Sequence, residues 1–323
     1  TAVCTVAQDA AAPAAESAPA WAADKADLAW VLVSAALVLL MTPALALFYG
    51  GMVRRKNVLS TFMHSFVVMG TISILWLVVG YSFAFGKGAT PYFGGLEYFM
   101  GNGVSATAPH PGYLTDGKPW MTVPNLMFML YQMMFAIITP ALISGAIAER
   151  MKFSGYLIFT TLWSLLVYCP VAYWVWNPQG WLFAKSALDF AGGTVVHLAS
   201  GVAALAAAIA LGKRNALVDK EPILPNNLTT TLLGAGLLWF GWIGFNAGSA
   251  LGATDVAVSA FASTHLAAAA GLLGWILVEK LRIGKATALG AASGLVAGLV
   301  GITPAAGFVT PASGVIIGLI AGV

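Results

Sequence analysis

"LAWVLVSAALVLLMTPALALFYGGMV", residues 28–53, runs without a single Asp, Glu, Lys or Arg. A hydrocarbon core of about 30 Å takes roughly 20 helical residues to cross, and this stretch exceeds that. Further uncharged windows follow at 57–86, 119–148, 153–184, 190–212, 222–254, 256–278 and 286–323. With 59% hydrophobic and 8% charged residues, the composition lies far from that of a soluble domain, and the chain reads as an integral membrane protein. The last window is long enough for two crossings. Its "GITPAAGFVTPASG" supplies a Gly/Pro-rich break near Thr303 to Pro311, which makes about nine spans. The expected fold is an all-α polytopic helical bundle in a lipid bilayer.

The basic residues orient it. With the start of the first span outside, the inside loops collect Arg54, Arg55, Lys56, Arg150, Lys152, Lys213, Arg214, Lys220, Lys280, Arg282 and Lys285. The outer segments keep only Lys25, Lys87, Lys118 and Lys185. This bias follows the positive-inside rule. It also accounts for the net charge of +3, so no nucleic-acid partner is implied. Residues 1–27, rich in Ala and Pro, read as a leader remnant or periplasmic extension outside the fold. The chain stops at Val323 inside an apolar run, which reads as truncation. Cys4 and Cys169 imply no disulfide framework.

Organisation follows from the spans. The outer segment from about Lys87 to Val123 is long and Pro/Gly-rich, either a vestibule rim or a tolerated surface loop. An inverted repeat of five spans would place one unit at 28–215 and an incomplete second unit of about four spans at 222–323. "FYGG" at 48–51 and "FNAG" at 245–248 fall at corresponding positions of the two.

"GGTVVHLASG", residues 192–201, sets an ionisable ring inside the fifth span. His197 follows Asp189 by eight residues, or about 12 Å of helix. At four-residue spacing, Gly193, His197 and Gly201 would share one face and allow close packing. Two readings stand: a neutral imidazole bridging helices, or a pore and proton-relay residue. Asp189 suits a helix cap. Span directions stack Trp176, Ser249, Phe135 and Phe245 above His197, although any single aromatic suits packing or the interfacial belt equally well. His64 and His265 are isolated. No HExxH, GxSxG, Walker A or dinucleotide motif occurs, so neither an enzyme nor a cofactor is expected.

Several stretches together resemble the ammonium transporter family (Amt/Mep/Rh), in its bacterial Amt branch. They are "MTPALALFYGGMVRRKNVLS", "GAIAERMKFS", "ALDFAGGTVVH", "GWIGFNAGSA" and "GLVAGLVGITPAAGF", in that order. The resemblance implies eleven spans with inverted five-span repeats in a homotrimer of the inner membrane, each subunit with its own pore. It implies ammonium or ammonia as substrate, methylammonium as analogue, and a PII-type regulatory protein as partner. Trp176, Phe135 and Ser249 would recruit ammonium, supported by Asp189. Phe135 and Phe245 would form the gate. His197 would be the first of two pore histidines, and Trp242 would line the pore beside it. The second histidine belongs to a tenth span, and neither His64 nor His265 matches it. An ammonium sensor on the same scaffold, or a channel for another neutral gas, would be built from the same spans.

Overall fold

The computed structural model describes residues 21–214, 218 and 224–323. Residues 1–20 of the N-terminal extension, Cys4 and Lys220 lie outside the described residues. Among the described residues, seven helices are long and apolar enough to span a membrane: α1 (Lys25–Met52), α2 (Arg55–Phe85), α3 (Asn125–Ile147), α4 (Phe153–Trp176), α5 (Gly193–Leu211), α6 (Leu228–Ala250) and α7 (Asp255–Ile283). Helices satisfy their own backbone, which is why apolar runs of this length fold this way in lipid. Two shorter helices follow, α8 (Ala288–Ile302) and α9 (Pro311–Gly322). With these, nine apolar helices among the described residues follow the order of the nine expected spans. The break falls where the sequence places it, because Pro304 withholds the N–H that would extend α8.

Polar side chains cap the starts of α1 and of α6 to α9. Asp24 accepts from the N–H groups of Ala26 and Asp27 at α1. Asn227 accepts from Thr230 at α6, and Thr254, Thr287 and Thr310 do the same at α7, α8 and α9. Each such cap is worth about 1 kcal/mol. Residues 21–27, set apart with the leader in the sequence reading, therefore belong to the fold. The Trp21 indole donates to the Met121 carbonyl at 3.1 Å, and the Asp24 N–H to that of Thr122 at 3.0 Å.

α1 and α6 pack antiparallel along most of their length. Ser34 meets Gly244 and Gly248, Met41 meets Gly241, and Phe48 meets Gly234. A Cβ at Gly244 would collide with Leu37 and with the Ser34 backbone, so only glycine permits this approach. α3 is the most enclosed of the long helices. At one end of the bundle, Glu149 ties the α1–α2 corner to the end of α3. It accepts from the Arg54 N–H at 3.1 Å, from Arg54 Nε at 3.2 Å and from Asn57 Nδ2 at 2.7 Å. Arg150 Nη1 donates to the Gly212 carbonyl at the end of α5, at 2.7 Å. The opposite end carries the long segment between α2 and α3, which includes a small antiparallel ribbon of Leu114–Thr115 with Lys118–Pro119.

Candidate functional site

At the end opposite Glu149, a cavity of about 260 Å³ opens among Trp176, Asp189, Ser249, Phe135, Gln132 and Tyr131. Tyr113 and Trp120, from the segment between α2 and α3, complete its wall. That segment is thus a rim, and the Tyr113 hydroxyl fastens it by donating to the Trp176 carbonyl at 2.8 Å. The four residues to which the resemblance gives a part in recruitment, drawn from α3, α4, α6 and the turn before α5, line this one cavity.

Local chemistry explains each position. Trp176 ends α4, and its indole N–H donates to the Asp189 carbonyl at 3.0 Å, which fixes the ring. Ser249 donates its hydroxyl hydrogen back to the Phe245 carbonyl at 2.8 Å. Tyr131 spends its own on the carbonyls of Gly244 at 2.8 Å and Phe245 at 3.1 Å. A hydroxyl has one hydrogen and two lone pairs, so Ser249 presents the cavity with an acceptor.

The cavity ends on an aromatic stack. The Phe135 ring stands edge-on to Trp176, with centroids 5.9 Å apart and planes at 89°. Beneath it Phe245 lies 4.4 Å away, centroid to centroid, and both phenyl rings are fully buried. His197 stacks on Phe245 at 5.7 Å and on Trp242 at 5.4 Å. These three border a second cavity of about 50 Å³, whose other walls are side chains such as Met41, Leu45, Ile138 and Leu238. At about 30 Å³ per water in the liquid, it has room for one or two molecules of that size.

Asp189 builds the start of α5. Its carboxylate accepts the N–H groups of Gly192, Gly193, Thr194 and Val195 at 2.9, 2.6, 2.7 and 3.1 Å. Four orphan donors and the positive end of the helix dipole thus meet one anion. Gly192, at φ 110°, makes the turn into the helix.

Two details of the sequence reading change here. Helix α5 begins at Gly193, so His197 lies only about 6 Å along its axis, not the 12 Å counted from Asp189. The first turn is a π-helix, with the His197 N–H donating to the Gly192 carbonyl five residues back at 3.0 Å. Four-residue spacing therefore does not hold there. Gly193 packs on Pro304, while Gly201 faces open space. α-Helical periodicity cannot foresee a π-turn, a feature frequent at functional sites.

Thr303, at the end of α8, is missing from the sequence-derived site. Its hydroxyl oxygen lies 3.3 Å from His197 Nε2 and 3.0 Å from Trp242 Nε1, and it donates to the Leu299 carbonyl at 2.8 Å. The available signal was a threonine directly before a helix-ending proline. His64 and His265 stay apart from this site: His64 packs on Tyr156 and Phe153, and His265 stacks on Trp239.

Comparison with known proteins agrees with this architecture. Residues 29–323 match the Ammonium Transporter Family. An ammonium transporter of Bacillus subtilis is 54% identical over 92% of this chain and 70% of its own length. The crystal structure of Saccharomyces cerevisiae Mep2 superposes with a TM-score of 0.84 at 41% identity, covering 93% of this chain and 67% of that one. The structure of a sensor Amt protein superposes with a TM-score of 0.83 at 31% identity, over 92% of this chain and 72% of its own. The chain, a multi-pass membrane protein, belongs to the ammonium transporter family.

Proposed function

We propose that the protein conducts ammonium as ammonia across the membrane, with the Trp176 cavity as the outer vestibule and the basic end, around Arg54 and Arg150, inside the cell. The order of the site carries this reading: an acceptor and aromatic faces above, a closed phenyl pair at 4.4 Å in the middle, and a histidine in a small apolar cavity below. In the vestibule, ammonium trades water for the Ser249 oxygen and for the faces of Trp176 and Phe135. Cation–π attraction contributes about 0.5–2 kcal/mol. Carrying a charge to the bilayer centre costs about 2.5–17 kcal/mol. The first is enough for weak capture and far too small to carry the ion through. Deprotonation at the vestibule floor resolves the mismatch. Neutral ammonia passes the phenyl rings as they swing apart, and the proton passes separately by way of His197. Potassium carries no proton to release, so it is excluded without a size filter.

The antiparallel packing of α1 on α6 suits the inverted repeat, with α1 to α5 as the first unit and α6 onward as the second. The test is uptake of labelled methylammonium into proteoliposomes. Saturable uptake, competed by ammonium and not by potassium, with KM raised by Trp176→Leu and by Ser249→Ala, is the expected outcome. Non-saturable uptake, or equal competition by potassium, would overturn the reading. Likeness to the sensor Amt structure supports a second reading, in which the vestibule binds ammonium to signal. Binding without flux would favour it.

A further inference from the structure

The outer cavity is larger than an ammonium ion needs. Its roughly 260 Å³ is about five times the roughly 50 Å³ of the cavity beneath the phenyl pair, which already has room for one or two water-sized molecules. At the floor, Ser249, Trp176 and Phe135 supply the acceptor and the faces that so small an ion uses. The rest of the space is bounded by rings from the connecting segments: Trp120 between α2 and α3, Phe183 between α4 and α5, and Phe308 between α8 and α9.

These three side chains are 46%, 43% and 53% exposed, against 1% for Phe135, so the cavity opens outward through an aromatic mouth. Two of the three are braced by edge-on partners. Tyr113 meets Trp120 with centroids 5.3 Å apart and planes at 76°, and Phe190 meets Phe308 at 5.3 Å and 81°. Large apolar side chains gathered around one opening mark a binding site, where scattered ones would not. Charge selects the occupant. Among the described residues lining the cavity, Asp189 is the one carboxylate, and there is no Lys, Arg or His. Aromatic faces carry the negative part of the ring quadrupole. A quaternary ammonium has no N–H to offer an oxygen and spreads its charge over its methyl groups, so it suits rings rather than hydroxyls.

We propose that the mouth of this cavity is an aromatic cage for quaternary alkylammonium cations, walled by Trp120, Phe183 and Phe308, and that these cations block the protein without crossing it. Two independent features stop them. The nitrogen has no proton to give up, and a tetramethylated nitrogen outsizes the small cavity below the phenyl pair. The blocking effect rests on the reading of this cavity as the outer vestibule, because a bound cation obstructs transport only where the cargo enters.

The probe is tetramethylammonium chloride, added to proteoliposomes of the full-length protein, with sodium chloride at equal concentration as the control for ionic strength. It should raise the KM for methylammonium without lowering the maximal rate, and labelled tetramethylammonium should not accumulate. Phe308→Leu and Phe183→Leu each remove one ring of the mouth. In each, the ratio of the tetramethylammonium inhibition constant to the methylammonium KM should rise by about two- to fivefold, the worth of one cation–π contact at an exposed site. Absence of inhibition, a fall in maximal rate at constant KM, accumulation of the probe, or an unchanged ratio in both variants overturns the proposal. The unaltered protein decides the first three of these even where a variant does not fold. Calorimetric titration of tetramethylammonium into the solubilised protein reads the cage without transport, and absence of binding there overturns it too. Binding that weakens in Phe308→Leu, alongside non-saturable methylammonium uptake, would instead remove the vestibule reading alone.

Discussion

Replacing Asp189 separates a structural role for its carboxylate from a purely electrostatic one. Of its four hydrogen bonds, those to the N–H groups of Gly192 and Val195 are buried, and those to Gly193 and Thr194 are partly so. In Asp189→Ala, water can reach the latter pair, but the buried two lose their acceptor. An unsatisfied buried donor costs about 1–3 kcal/mol, so the loss is about 2–6 kcal/mol before any repacking. Asp189→Asn keeps one oxygen and hence the Gly192–Gly193 pair. It gives up Thr194 and Val195 together with the charge at the helix start, for about 2–4 kcal/mol in all. Because α5 begins there, His197 loses its alignment with Phe245 in both variants. The assay pairs thermal melting in detergent with methylammonium uptake in proteoliposomes. Both variants should melt earlier and transport more slowly at saturating substrate, with Ala worse than Asn. A rise in KM with unchanged melting temperature and maximal rate would refute the helix-building role and leave only attraction of the cation.

Three further outcomes follow from the packing and the loops. Gly244→Val should abolish folded, monodisperse protein in size-exclusion chromatography, since α6 cannot approach Ser34 and Leu37 with a branched side chain there; normal elution and melting would contradict that contact. Burial lowers the His110 imidazole, in the segment between α2 and α3, to about 4. A base whose folded value lies below its unfolded one contributes stability above about pH 6.5 that drains away as pH falls toward the folded value. His110→Phe should therefore flatten the melting-temperature profile across that window. At Glu149, burial alone would raise the carboxyl, but the bonds from Asn57 and Arg54 outweigh it and hold the group below its usual range. Its contribution is present above the ordinary carboxylate value and lost as pH falls through the lowered one. Glu149→Gln should thus be less stable than the unaltered protein at neutral pH and converge with it in acid, as read by melting.

Charge-free length places α1 to α7, and polar caps mark the starts of some of them, such as α1, α6 and α7. Thr254 and Thr287 show both signals: each precedes an apolar run and each caps it. Span direction further places Phe135, Trp176 and Ser249 at one level, because an antiparallel bundle brings alternate helix ends together. Geometry finer than α-helical periodicity was not legible. The π-turn at Gly193–Leu198 moves His197 off the face that i, i+4 counting assigns, and such a turn leaves no mark in an apolar sequence pattern. Thr303 was invisible for another reason. It lies 106 residues from His197, and its role exists only where α8 ends beside the first turn of α5. Tyr113 likewise joins the vestibule through a bond to Trp176 that no spacing encodes.

The central claim is that ammonia and a proton, rather than an intact cation, pass His197. Its most direct test is the current evoked by ammonium and by potassium on proteoliposomes of the unaltered protein and of His197→Ala, alongside methylammonium uptake. The account predicts a response to ammonium, none to potassium, and loss of the ammonium response in His197→Ala at unchanged melting temperature. Undiminished ammonium current in the folded variant, or a potassium current in the unaltered protein, would contradict it.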